Sequence, residues 1–129
     1  MKITNREIVK IFNGIRTIEE KKLPVKLGFA INKNVKAMRG TAESYDAERT
    51  KILDKYGQKD EDGQLEISGD EYVLTDKKAY AAEMNELLGI ESELQVHTVT
   101  LDEIEKCDTE KFDALTPGEL EILEFMIEE

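Results

Sequence analysis

The sequence predicts a mainly helical α+β fold: a long antiparallel helical hairpin, a small antiparallel β-hairpin or three-stranded sheet, and a C-terminal helix. Three observations point there. A chain of 129 residues that is 40% hydrophobic, with no Trp and 8 Phe or Tyr, suits one small core within a single domain over residues 1–129. Apolar residues recur at steps of three and four over two long stretches, the signature of helix faces. Between them, polar turn clusters bracket short runs of alternating side chains.

Taken in order, Thr4 begins a capping box with Glu7, and Ile8, Ile11, Phe12, Ile15 and Ile18 form one stripe, so a first helix is expected over about 5–20. Pro24 stops it, since Leu23 is steered away from helical dihedrals, and then serves the first turn of the next helix. That second helix carries Leu27, Ile31, Val35, Met38, Ala42, Tyr45, Arg49, Ile52 and Tyr56 in near-heptad spacing. From 25 to 56 it would be about 48 Å long, which requires a partner along its length. Gly40 marks a candidate bend. Arg49 in the stripe reads as an aliphatic stem snorkelling outward, with an ion pair to a facing helix as the alternative.

Gly57 is placed to cap that helix, and the polar turn Gln58–Gly63 leads to strands at about 64–68 and 71–75 around Gly69-Asp70. The register that follows sets Ile67 opposite Tyr72 and Leu65 opposite Leu74, with the apolar side chains on one face. That face needs a helix or a third strand beneath it. A third helix over about 76–88 should return antiparallel along the second half of the long helix, and residues 93–100 alternate as a third strand. Thr116, Pro117 and Glu119 then open a terminal helix over about 117–127, apolar on more than half its circumference.

The formal charge of −11 is a difference between unlike halves. Residues 1–56 hold 9 Lys and 4 Arg against 7 acids, a net of +6, whereas residues 57–129 hold 5 Lys and no Arg against 22 acids, a net of −17. Mutual packing of the two halves is the simpler reading, and steering of an outside partner the sharper one. No stretch approaches the roughly 20 apolar residues of a membrane span, and the N-terminal segment lacks the apolar centre of a signal peptide. With one Cys as well, a cytoplasmic location is expected.

The usual catalytic kits do not fit. Asp60-Glu61-Asp62-Gly63 resembles a calcium loop, but Gln58 and Gly69 stand where the flanking ligands belong, so a solvated turn is the better reading. One His and one Cys, His97 and Cys107, cannot supply the four ligands of a zinc site. As a nucleophile and base with Glu103 or Glu105 they fare no better, because nearby acids disfavour the thiolate. Gly28 and Gly40 are isolated on helices rather than grouped in a phosphate loop. Close carboxylate pairs follow from composition alone in a chain with 29 acids. No cofactor, no metal and no enzymatic activity are therefore expected.

Arg6, Lys10, Lys21, Lys22, Lys26, Lys33, Lys36 and Arg39 form a basic face that suits phosphate, but the acidic remainder counts against direct nucleic-acid binding. The acidic half instead offers a candidate interaction surface for a basic partner: Asp60, Glu61, Asp62, Asp70, Glu71, Glu91, Glu93, Asp102, Glu103 and Glu105.

The segments Lys22–Lys26, Asp54–Gly57, Asp60–Gly63, Asn85–Leu88, Val96–Thr98 and Leu120–Glu129 together resemble a family of small uncharacterised proteins encoded by phages and prophages of Gram-positive bacteria. The resemblance spans most of the chain and brings no catalytic residues with it. It implies a non-enzymatic accessory protein acting by protein–protein contact in the host cytoplasm, with virion morphogenesis as one setting and a homodimer through the long or terminal helix as one form. The alternative is an acidic inhibitor or DNA mimic that occupies a basic surface of a host nucleic-acid enzyme.

Overall fold

The computed structural model describes residues 1–128, and its helical frame follows the capping signals closely. Strand β1 (Lys2–Thr4) runs directly into α1 (Asn5–Glu19). Thr4 and Glu7 close the expected capping box, each satisfying a backbone N–H of the other's turn. Helix α2 (Val25–Tyr56) passes through Gly40 without a break. A hairpin of β2 (Ile67–Ser68) and β3 (Glu71–Tyr72), helix α3 (Lys77–Leu88) and strand β4 (Glu91–Glu93) follow. The chain ends with β5 (Val99–Thr100), α4 (Leu101–Glu105), α5 (Pro117–Leu123) and β6 (Ile127–Glu128). Glu129, the last residue of the expected domain, lies outside the described residues.

The core surrounds the first half of α2. One cluster joins Ile15 and Ile18 of α1, Leu27, Ala30, Ile31 and Val35 of α2, and Val99, Ile104, Cys107, Leu123 and Met126 from the C-terminal segments. A second joins Ile3, Ile8, Ile11, Met38 and Leu94, and Phe12, Val96, Ile122 and Phe125 pack against both. Ile122 seats directly on Gly14, where a Cβ would overlap it, so the crossing of α1 and α5 depends on that glycine. Between Met38 and Leu87, among the described residues, Leu53 alone of the hydrophobic side chains is fully buried. The second half of α2 is thus an arm, partnered by α3 rather than embedded in the core. Tyr56 meets Tyr80 edge-on at 6.5 Å at the start of α3, and the other end of α3 reaches Asn5, whose amide donates to the Leu87 carbonyl at 2.9 Å. The long stripe is therefore deeply buried only from Leu27 to Met38, and Ala42, Tyr45, Arg49, Ile52 and Tyr56 are half-buried. Arg49 reaches no acid on a facing helix and lies 3.9 Å from Asp46 on its own.

Several expected boundaries are corrected. The turn at Gly69-Asp70 and the pairing of Ile67 with Tyr72 stand as expected, and Gly69 alone of the two has a positive φ, +64°, which suits a II′ turn. The strands are shorter than 64–68 and 71–75, because their outer residues pair with the segment just after α2: Gly57 bridges Leu74 and Lys59 bridges Leu65. That segment, not residues 93–100, is the third partner of the hairpin. Gly57 has a φ of −71°, so its value is space rather than left-handed backbone: Leu65 packs where a Cβ would stand. The apolar face also divides, Leu65 and Leu74 being half-buried and Ile67 and Tyr72 exposed.

The expected strand 93–100 is three separate pieces. Strand β4 pairs antiparallel with β1, and β5 pairs parallel with β6. Between them Leu94–Thr98 is extended without a ladder of its own, and His97 and Thr98 are both exposed, which ends the alternation. The buried Asn34 of α2 substitutes for a neighbouring strand there: its amide nitrogen donates to the His97 carbonyl at 2.9 Å and its oxygen accepts from the His97 N–H at 2.7 Å. The terminal helix stops at Leu123, short of 127, because residues 124–126 tighten into a 3₁₀ turn that carries Met126 into the core and aligns Ile127 with Val99.

Candidate functional site

The ten acids of the candidate surface are not brought together. Asp60, Glu61, Asp62, Asp70 and Glu71 lie at the far end of the arm, beyond the C-terminus of α2. Glu91 and Glu93 sit on β4 opposite Thr4 and Lys2, and Glu93 lies 3.7 Å from the N-terminal amine. Asp102, Glu103 and Glu105 belong to α4, which packs beside the first turns of α2, and Glu103 pairs with Lys106 at 2.7 Å. The arm end is the only one of the three groups without a basic partner, among the described residues, for any of its candidate acids.

That group has a shape of its own. The Asp60 carboxylate accepts from the N–H groups of Asp62 and Gln64 at 2.9 and 3.0 Å, which folds the turn back and leaves Glu61 and Asp62 outward. In the hairpin that follows, the paired Ile67 and Tyr72 present 60% and 41% of their surfaces to solvent, beside Asp70 and Glu71 at the II′ turn. Behind the hairpin, Lys55 bonds both Glu83 oxygens at 3.3 and 3.4 Å, and the Tyr56 hydroxyl and Lys55 hold the Glu83 carboxyl below its ordinary range. The arm end thus carries an exposed apolar pair beside Asp70 and Glu71 and, in a separate turn, Asp60, Glu61 and Asp62.

Elsewhere the two halves of the chain neutralise one another. Lys10 pairs with Glu121 at 3.0 Å, Lys21 with Glu119 at 2.6 Å, and Lys55 with Glu83. Glu119 is buried, a feature that the capping-box reading of Thr116 did not disclose. Burial opposes its charge, but Lys21, the Thr116 backbone and the hydroxyls of Thr17 and Thr116 outweigh that and hold the carboxyl at about 2. Cys107 is buried in the core, where burial and then Asp108 push its thiol up, away from the reactive thiolate. His97 stands on the surface against Phe29, ring centres 5.5 Å apart. Among the described residues no three His, Cys, Asp or Glu side chains are grouped to hold a metal ion, and no helix is long and apolar enough to cross a membrane.

No family model, curated protein or solved structure matches this chain.

Proposed function

We propose that this chain is a non-enzymatic phage or prophage accessory protein that works by protein–protein contact, and that the arm tip is its docking surface. The observation that carries the reading is the exposed pair Ile67 and Tyr72 beside Asp70 and Glu71, on an arm end that also holds Asp60, Glu61 and Asp62. Aromatic and aliphatic anchors inside a charged rim are the usual anatomy of a contact hot spot, and the rim sign selects a basic partner surface. Location at the end of an arm leaves the tip accessible while the core stays intact. Virion morphogenesis in the host cytoplasm is the setting that the family resemblance suggests. The DNA-mimic reading, which needs a continuous row of carboxylates, gains no support from acids divided among three places.

The test is capture from phage-infected host cytosol, followed by calorimetry of the purified partner against this chain and its Ile67→Ser, Tyr72→Ser variant. Both side chains are exposed, so melting should hold while affinity falls at least tenfold, the order expected for a truncated hot spot. A partner that binds the variant as tightly as the parent chain would place the contact elsewhere.

A further inference from the structure

The outer face of α2 opposes the arm tip in charge. From Val25 to Ala42 the helix carries Lys26, Lys33, Lys36 and Arg39 and no acid at all, in a chain of net charge −11. Among the described residues none of these four cations joins an ion pair, although lysines 10, 21, 51, 55, 59 and 106 all do. Alongside runs the extended segment Leu94–Thr98, and between the two lies an open cleft of about 540 Å³ lined by Lys33, Lys36, Gln95 and His97, again without an acid. Asn34 fixes this edge from beneath by bonding both backbone groups of His97, so the imidazole and the Gln95 amide face outward from a rigid floor. At the end of the row Phe29 is 54% exposed, with the Lys33 ammonium 5.9 Å from its ring centre.

We propose that this face binds single-stranded nucleic acid, with phosphates along Lys33, Lys36 and Arg39 and an unpaired base on Phe29. Cations that track a backbone beside an exposed ring are the combination by which proteins hold single strands without sequence preference. A duplex fits less well, because α2 is flanked by Gln95–Thr98 and does not protrude as a groove-reading helix must. An acidic peptide would satisfy the lysines but has no use for the flat ring. The acids of the arm tip, Asp60, Glu61, Asp62, Asp70 and Glu71, are too distant to oppose a bound strand. Lys36 lies 20 residues, or about 30 Å, from the end of α2, several times the roughly 8 Å over which charges are felt at physiological salt. Of the acids nearby, Glu103 and Glu128 line the adjoining cleft with Lys26 and Phe29, where Glu103 is paired with Lys106, and Glu43 stands one turn beyond Arg39.

The experiment is fluorescence anisotropy of a labelled oligothymidylate of about 16 nucleotides. Three charges neutralised on a single strand give a slope of about −2 in log K against log salt, so affinity should fall about 20-fold from about 50 to 200 mM salt. Lys33→Glu with Lys36→Glu should weaken binding more than tenfold, whereas Lys77→Glu with Lys78→Glu, an equal change in net charge, should leave it within about twofold. Phe29→Ala should cost at least fivefold, about the least that one stacked base contributes. Circular dichroism of each variant confirms that these exposed sites leave the fold intact. The proposal fails if the parent chain does not bind at low salt, if both charge reversals weaken binding equally, or if Phe29→Ala binds as tightly as the parent. It fails equally if duplex of the same length or polyglutamate competes as well as the oligonucleotide.

Discussion

Glu119→Gln isolates one charge. Glutamine serves the capping box as well as glutamate does, so its Oε1 keeps the Thr116 N–H seen at 2.9 Å, and the Thr17 hydroxyl can turn to accept from the new amide. What disappears is the carboxylate beside Lys21. Its displacement from 4.5 to about 2 corresponds, at about 1.36 kcal/mol per pH unit, to roughly 3 kcal/mol of folding stability at neutral pH. The Glu119 side chain is 9% exposed and that of Lys21 22%, so water screens part of this and the substitution should cost about 2 kcal/mol. With an unfolding entropy of about 2.1 cal/mol/K per residue, Tm should fall about 7 °C at pH 7.

The sign in pH follows from the direction of the shift. A carboxyl held below its unfolded value contributes fully above about 4.5, and the contribution is lost as pH falls toward 2. The parent chain should therefore lose stability faster than the variant over that window, and the two should converge at its acid end. Thermal melts followed by circular dichroism from neutral pH to about pH 2.5 read both effects. Equal melting at pH 7, or parallel curves below pH 4.5, would refute the account of Glu119 as a buried paired charge.

Two glycines on helices should respond in opposite senses. A Cβ at Gly40 meets nothing within 4 Å, so Gly40→Ala should stabilise the chain by about 1 kcal/mol, or about 4 °C in Tm. Gly14→Ala collides with Ile122 and should cost about 1 to 3 kcal/mol in the same melts. Asn34→Ala removes both bonds to the His97 backbone and should cost about 2 to 3 kcal/mol, with faster amide exchange confined first to residues 95–98. Unchanged exchange there would mean that the segment is held by Leu94 and Val99 alone.

What was legible in the sequence is what a single turn of chain decides. Thr4 with Glu7 and Thr116 with Glu119 each satisfy donors within three residues, and Gly69-Asp70 needs only its own backbone. The missed features depend on partners that the fold selects. Strands β5 and β6 are two residues long and meet across 26 residues, too short to show any alternation. Asn34 reads as a polar residue on a helix until the structure sets it beneath His97, 63 positions away. Lys21 and Glu119 are separated still further, so the local cap was visible and the buried pair was not. Charge follows the same logic. The halves of +6 and −17 announce that pairs will form, and three lysines from the first half do find glutamates of the second. A sum cannot say which charges remain. Among the described residues without an ion pair, five acids stand at Asp60–Asp62 and the II′ turn and four cations along residues 25–42 of α2, roughly 30 Å away. Over such a distance each field acts alone, so two surfaces of opposite sign can serve different ligands on one small chain.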